Sequence, residues 1–209
     1  PIMNLVAEYL NNSEMYDIFQ HGSLNGKKQF IAMFGKKQFI AMFGKKNIKV
    51  FMLSRTFIDG CLDTKVWIVG VLGSERIPNW LINRAFSGGC IDTQRWVVGV
   101  FGSECISTYA IHRAFMGDCL DTKMWVVGVF GSEHISTSSI HRAFMGDCLD
   151  TKMWVVGVFG SERISTYAIR RAFMGECLDT QKWIKETFTH ECKRLIESKN
   201  LSTRPLAKN

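Results

Sequence analysis

The chain has 209 residues, 46% hydrophobic and 22% charged, with a mean hydropathy of +0.02 and a formal net charge of +7. That balance excludes wholesale disorder, and no apolar run approaches the roughly 18 residues of a membrane-spanning helix. Three Pro against 18 Gly exclude collagen-like and proline-rich classes.

Residues 1–16 read as an N-terminal capping helix. No charged segment followed by an apolar core opens the chain, so no secretory signal is expected. The basicity is local. Residues 18–58 carry eight bases and no acid: Lys27, Lys28, Lys36, Lys37, Lys45, Lys46, Lys49 and Arg55. The seven lysines form a candidate basic patch for nucleic acid or an acidic surface, although a solvated lysine-rich face is the simpler account, since no nucleic-acid motif accompanies them. Within this stretch KKQFIAMFG stands twice in succession, at 27–35 and 36–44. Nine helical residues turn through about 900°, half a turn beyond two full turns. The apolar sets of the two copies would face opposite sides, which predicts a kink, a loop or an overlong helix.

From here a repeat governs the chain. Trp67, Trp96, Trp125, Trp154 and Trp183 are spaced by 29. So are Arg55, Arg84, Arg113, Arg142 and Arg171, and so are Cys61, Cys90, Cys119, Cys148 and Cys177. Segments 113–141 and 142–170 differ at four of 29 positions: His134/Arg163, Ser138/Tyr167, Ser139/Ala168 and His141/Arg170. Such a register implies stacked copies of one supersecondary unit. Residues 17–54 fit as a first repeat that carries the nine-residue duplication.

Each unit reads as two short helices. In 107–131, Ser107 or Thr108 caps a first helix over Tyr109–Met116, with Ile111, Ala114 and Phe115 as its apolar stripe. Gly117 and Asp118 break it, and Asp121 or Thr122 caps a second helix ending near Gly131. That second helix is apolar almost all round, which predicts burial on every side. The run WVVGVF also suits a buried strand, giving a leucine-rich-repeat-like rival, but the LxxLxLxxN/C pattern is absent.

The unit resembles an ankyrin repeat. Tyr109, Ala110, Ile111 and His112 stand where that family has TPLH, Ala114 and Phe115 where it has paired alanines, and Gly60 and Gly89 at the glycine of GHL. Gly131, Ser132 and Glu133 are similar to the GAD after the second helix. The run GCLDTKVW at 60–67 looks like the divergent ankyrin-like repeats of large DNA viruses and amoebae. The period falls short of the usual 33, Asp118 and Asp147 replace the glycine, and Pro78 is alone among the helix starts. The resemblance implies an all-α, helix-pair solenoid of about six repeats over 17–199, with β-hairpins reduced or missing. It implies a structural role for the His112 column, and it suggests a viral host-interaction setting.

Candidate chemistry is sparse. The cysteines read as small buried side chains, without CxxC or zinc spacing, which suggests a reducing compartment. His112 and His141 share a column with Asn83 and Arg170, too varied for a ligand set, and read as polar packing. The column of Asp63, Asp92, Asp121, Asp150 and Asp179 suits helix starts rather than acid–base pairs. No GxGxxG loop occurs.

The expectation is a non-enzymatic protein–protein scaffold: a monomer in cytoplasm or nucleus, with no cofactor, no metal and no transmembrane segment. Candidate partner-binding residues are the variable positions His112, His134, Ser138, His141, Arg163, Tyr167 and Arg170, and the Trp column is structural. The alternatives are a nucleic-acid or acidic-surface binder through 27–49, and a degenerate repeat protein without a specific ligand. Residues 171–199 would cap the array, and 200–209 would form a flexible tail.

Overall fold

The structure is a computed structural model. It describes residues 17, 21–34, 48–117, 119–146, 148–174 and 178–192, with only the backbone of 33, 34 and 48–53. The expected capping helix at 1–16, the second copy of the duplication at 36–44, residues 193–199 and the tail at 200–209 lie outside these. Among the described residues every regular element is helical and no strand occurs.

The described helices fall in two compact units, 1–110 and 111–209. The first unit holds α1 (Leu24–Phe34), α2 (Ile48–Asp59), α3 (Leu62–Leu72), α4 (Asn79–Gly88) and α5 (Ile91–Phe101). The helix α6 (Thr108–Phe115) starts in the first unit and ends in the second. The second unit continues with α7 (Leu120–Phe130), α8 (Thr137–Gly146), α9 (Leu149–Phe159), α10 (Thr166–Phe173) and α11 (Leu178–Thr187). In the first unit α2 packs on both α3 and α4, and α4 on α5; in the second α8 packs on α9 and α10, and α10 on α11. A first helix thus touches its own second helix and the next first helix.

The local sequence explains the boundaries. Ser107 Oγ accepts the Ala110 amide at 3.3 Å, and Ser165 Oγ accepts that of Ala168 at 3.2 Å, so serine caps α6 and α10 as expected, whereas α4 starts after Pro78 with no side-chain cap. The second helices start two or three residues earlier than expected. Cys61, Cys90, Cys119 and Cys148 are their N-caps, and the aspartates sit in the first turn, where carboxylates favour the helix dipole. The second helices α3, α5, α7 and α9 end at a glycine, Gly73, Gly102, Gly131 or Gly160, with φ between 82° and 92°. At ψ near 150° that conformation is essentially reserved for glycine. One-turn 3₁₀ helices follow, such as Ser132–His134, and bury Ile77, Ile106, Ile135 and Ile164 behind them.

The core centres on the first-helix phenylalanines. Phe57, Phe86, Phe115 and Phe144 are fully buried. Phe115 packs against Trp154 and Phe159, and Phe144 against Trp183 and Phe188, at centroid distances of 5.7–6.3 Å. Phe57 meets Trp96 in the first unit at 6.2 Å.

Two expectations are corrected here. WVVGVF is helical, as the helix-pair reading expects, but the second helices are not buried on every side. All five column tryptophans are only half-buried, Met124 is 48% exposed, and Val100, Val129 and Val158 also face outward. The buried face holds Thr122, Lys123 and Val126 instead. A helix apolar all round does not reveal which side meets the core. Here the deciding residues are Thr and Lys, which hydropathy assigns to the surface.

The second correction concerns cysteine. Cys61, Cys90, Cys119 and Cys148 are exposed, not buried, because N-caps lie at the rim of a helix pair. Cys61 Sγ lies 3.4 Å from Thr64 Oγ1, and bonding to Thr64 holds the thiol below its ordinary value of 9.0. Cys192 is buried, and burial raises its thiol.

Candidate interaction surface

Amphipathic spacing sets the outward face of the first helices. In α4, Leu81, Ile82, Ala85 and Phe86 point inward, which leaves Trp80 and Arg84 outward one turn apart. The same spacing exposes Tyr109 and Arg113 on α6, Ser138 and Arg142 on α8, and Tyr167 and Arg171 on α10. Trp80 is 53% exposed, Tyr109 69% and Tyr167 64%. Helices α4, α6, α8 and α10 contain no acidic residue. Among the described residues no carboxylate pairs with Arg84, Arg113, Arg142 or Arg171. Arg55 differs, since Asp59 lies 3.4 Å away on its own helix.

In the first unit this face forms a cleft of about 360 Å³ lined by Trp80, Asn83, Arg84, Ser87, Ser107, Tyr109 and Ala110. Its wall is set by Asn83. The Asn83 amide donates to the Cys105 carbonyl at 3.0 Å and accepts the Ser107 amide at 2.6 Å, which ties α4 to the turn before α6. A second cleft of about 310 Å³, lined by His21, Lys27, Arg55, Thr56, Asp59 and Gly60, contains the Arg55–Asp59 pair.

The expected partner-binding residues divide. His112 Nε2 lies 2.9 Å from the His134 carbonyl and 3.2 Å from the Ser136 amide. His141 Nε2 repeats this with the Arg163 carbonyl at 2.9 Å and the Ser165 amide at 3.1 Å. Both histidines bind the backbone of the next turn, at the sites that Asn83 serves in the first unit. Arg163 donates to the Ile135 carbonyl at 3.1 Å and lies over Phe159, so its guanidinium is engaged as well. Ser138 bonds Ser136 at 3.0 Å beside the cap of α8. His134, Tyr167 and Arg170 are exposed. The sequence reading missed Trp80, Tyr109 and the outward role of the arginine column. The signal was present, since 80, 109, 138 and 167 form one column of aromatic residues broken only by Ser138.

The basic segment also divides. Lys28 is exposed, but Lys27 is buried, and burial lowers its ammonium below the ordinary value. Lys36, Lys37, Lys45 and Lys46 lie outside the described residues, as does the side chain of Lys49. Lys27 heads a column missed in the sequence. Lys65, Gln94, Lys123 and Lys152 occupy the equivalent place, all buried. Lys65 Nζ donates to the Ile58 carbonyl at 3.2 Å and to the Gly60 carbonyl, and Lys123 Nζ to the Gly117 carbonyl. Lys65 and Lys123 thus answer carbonyls left free at the end of a first helix, where the dipole also favours a cation. Gln94 donates to the Gly89 carbonyl at 3.0 Å, but its own Oε1 is buried without a partner.

Among the described residues no group of three or more His, Cys, Asp or Glu could hold a metal ion, and no helix is long and apolar enough to cross a membrane. Compared with known proteins, the chain matches no family model, no curated protein and no solved structure.

Proposed function

We propose that the chain is a non-enzymatic protein–protein interaction scaffold, built from ankyrin-like helix pairs, that offers the outward face of its first helices to a partner. The observation that carries this reading is the pairing, on α4, α6 and α10, of an exposed Trp or Tyr with an exposed Arg one turn later that meets no carboxylate among the described residues. Trp, Tyr and Arg are the residues over-represented among those that dominate binding energy at protein interfaces. Exposing a Trp to water forfeits much of its burial free energy, which a partner would recover. The His112 and His141 bonds support the ankyrin-like reading, because they join each first helix to the next turn. A viral host-interaction setting follows from the resemblance alone.

A displayed peptide library selected against the whole chain, with excess single-stranded nucleic acid as competitor, tests this reading. The expected result is enrichment of one peptide class whose binding falls on Tyr109→Ala or Tyr167→Ala. No enrichment over an unrelated helical protein would refute it.

A further inference from the structure

The cleft between Trp80 and Tyr109 has a composition that points to one kind of occupant. Two exposed rings and a single guanidinium line it, together with Ser87 and Ser107. Arg84 has no acidic partner among the described residues, and α4 carries no acid that could neutralise it. The Asn83 amide is already committed to the Cys105 carbonyl and the Ser107 amide, so it fixes the wall rather than recruiting a ligand. What remains free in the cleft is one planar cation and two aromatic faces.

We propose that this cleft seats an acidic protein segment, with a carboxylate on Arg84 and a neighbouring apolar side chain between Trp80 and Tyr109. The proposal rests on the scaffold reading and names the chemistry of its partner. Three arguments favour it. A guanidinium pairs with a carboxylate through two parallel N–H···O bonds, stronger than neutral hydrogen bonds. The rings of Trp and Tyr offer large area at low entropic cost, which suits an anchoring side chain. Against a nucleic-acid strand, α4 supplies one cation and no lysine, whereas a strand presents a phosphate at every nucleotide and is tracked by a run of positive charges.

The test uses the full chain and three labelled probes in fluorescence anisotropy. These are a short peptide of Asp and Glu around one Phe, the same peptide with Asn and Gln for the acids, and a single-stranded oligonucleotide of equal charge. The acidic peptide should bind and the neutral one should bind at least about tenfold more weakly. Arg84→Gln and Trp80→Ala should each weaken the acidic peptide about tenfold, while Lys182→Gln, exposed on the second helix α11, should not. Both cleft side chains face solvent, and an unchanged melting curve verifies that the variants fold. Binding that survives both cleft substitutions overturns the cleft proposal and leaves the scaffold reading intact. Binding of the oligonucleotide alone, weakened by Arg84→Gln, overturns both. Failure of all three probes overturns the proposal.

Discussion

Gln94 shows how one atom sets a local free energy. It stands in a column where Lys65, Lys123 and Lys152 are buried, and it keeps their hydrogen bond with its amide nitrogen. Its oxygen has no counterpart on a lysine and is left without a donor. An orphaned buried acceptor costs about 1–3 kcal/mol, and a charge-assisted bond adds to what a neutral one gives. Desolvation of the new ammonium opposes this gain, as it does at Lys65, where burial lowers the ammonium. Gln94→Lys is therefore expected to raise stability by about 1 kcal/mol in denaturant unfolding at neutral pH. A loss of stability would mean that desolvation dominates. The exposed N-cap thiols give a second prediction at this scale. Hydrogen bonding lowers Cys61, Cys90, Cys119 and Cys148 from 9.0, whereas burial raises Cys192. The thiolate is the nucleophile, so labelling slows as pH falls through each thiol's own value. Iodoacetamide near pH 8 should modify the four N-cap cysteines first, with a half-maximal rate below pH 9.0, and Cys192 last. Equal rates at all five would remove the helix-start account of the thiols.

The helix pair was legible in the sequence through period, caps and breakers. Ser107 caps where expected, and Gly131 ends the second helix where expected. The inward face of that second helix was not legible. With Met124, Trp125, Val126, Val127, Val129 and Phe130 in one run, polarity gave no direction. The face is set by Lys123, whose ammonium must reach the Gly117 carbonyl, and this turns Met124 outward and leaves Trp125 at the edge. The first-helix Phe, not the second-helix Trp, is then the centre of each core. Phe144 is fully buried against Trp183 and Phe188, while Trp154 is half-buried. Phe144→Ala should cost about 3–5 kcal/mol and Trp154→Ala clearly less, measured by urea unfolding. A larger loss at Trp154 would return the core to the second helices.

For the whole molecule, the repeat made the fold class legible but hid the surface. Attention to columns that vary picked out His112, His141 and Arg163, which hold backbone groups of the next turn. Tyr167 was picked out with them, but Trp80 and Tyr109 of the same column were missed, because exposure depends on which stripe of a helix is covered. The two units each expose two kinds of face. One, on first helices, carries exposed aromatic residues and arginines that meet no carboxylate among the described residues; the other, on second helices, carries Val66 and Val100 in the first unit and Met124, Val129, Met153 and Val158 in the second. The central claim is that a partner meets the former. Hydroxyl-radical footprinting decides between them, because Trp, Tyr and Met are all oxidised readily when exposed. With a selected partner peptide bound, Trp80, Tyr109 or Tyr167 should be protected while Met124 and Met153 oxidise as in the free chain. Protection of Met124 and Met153, with the three aromatic residues unchanged, would contradict it.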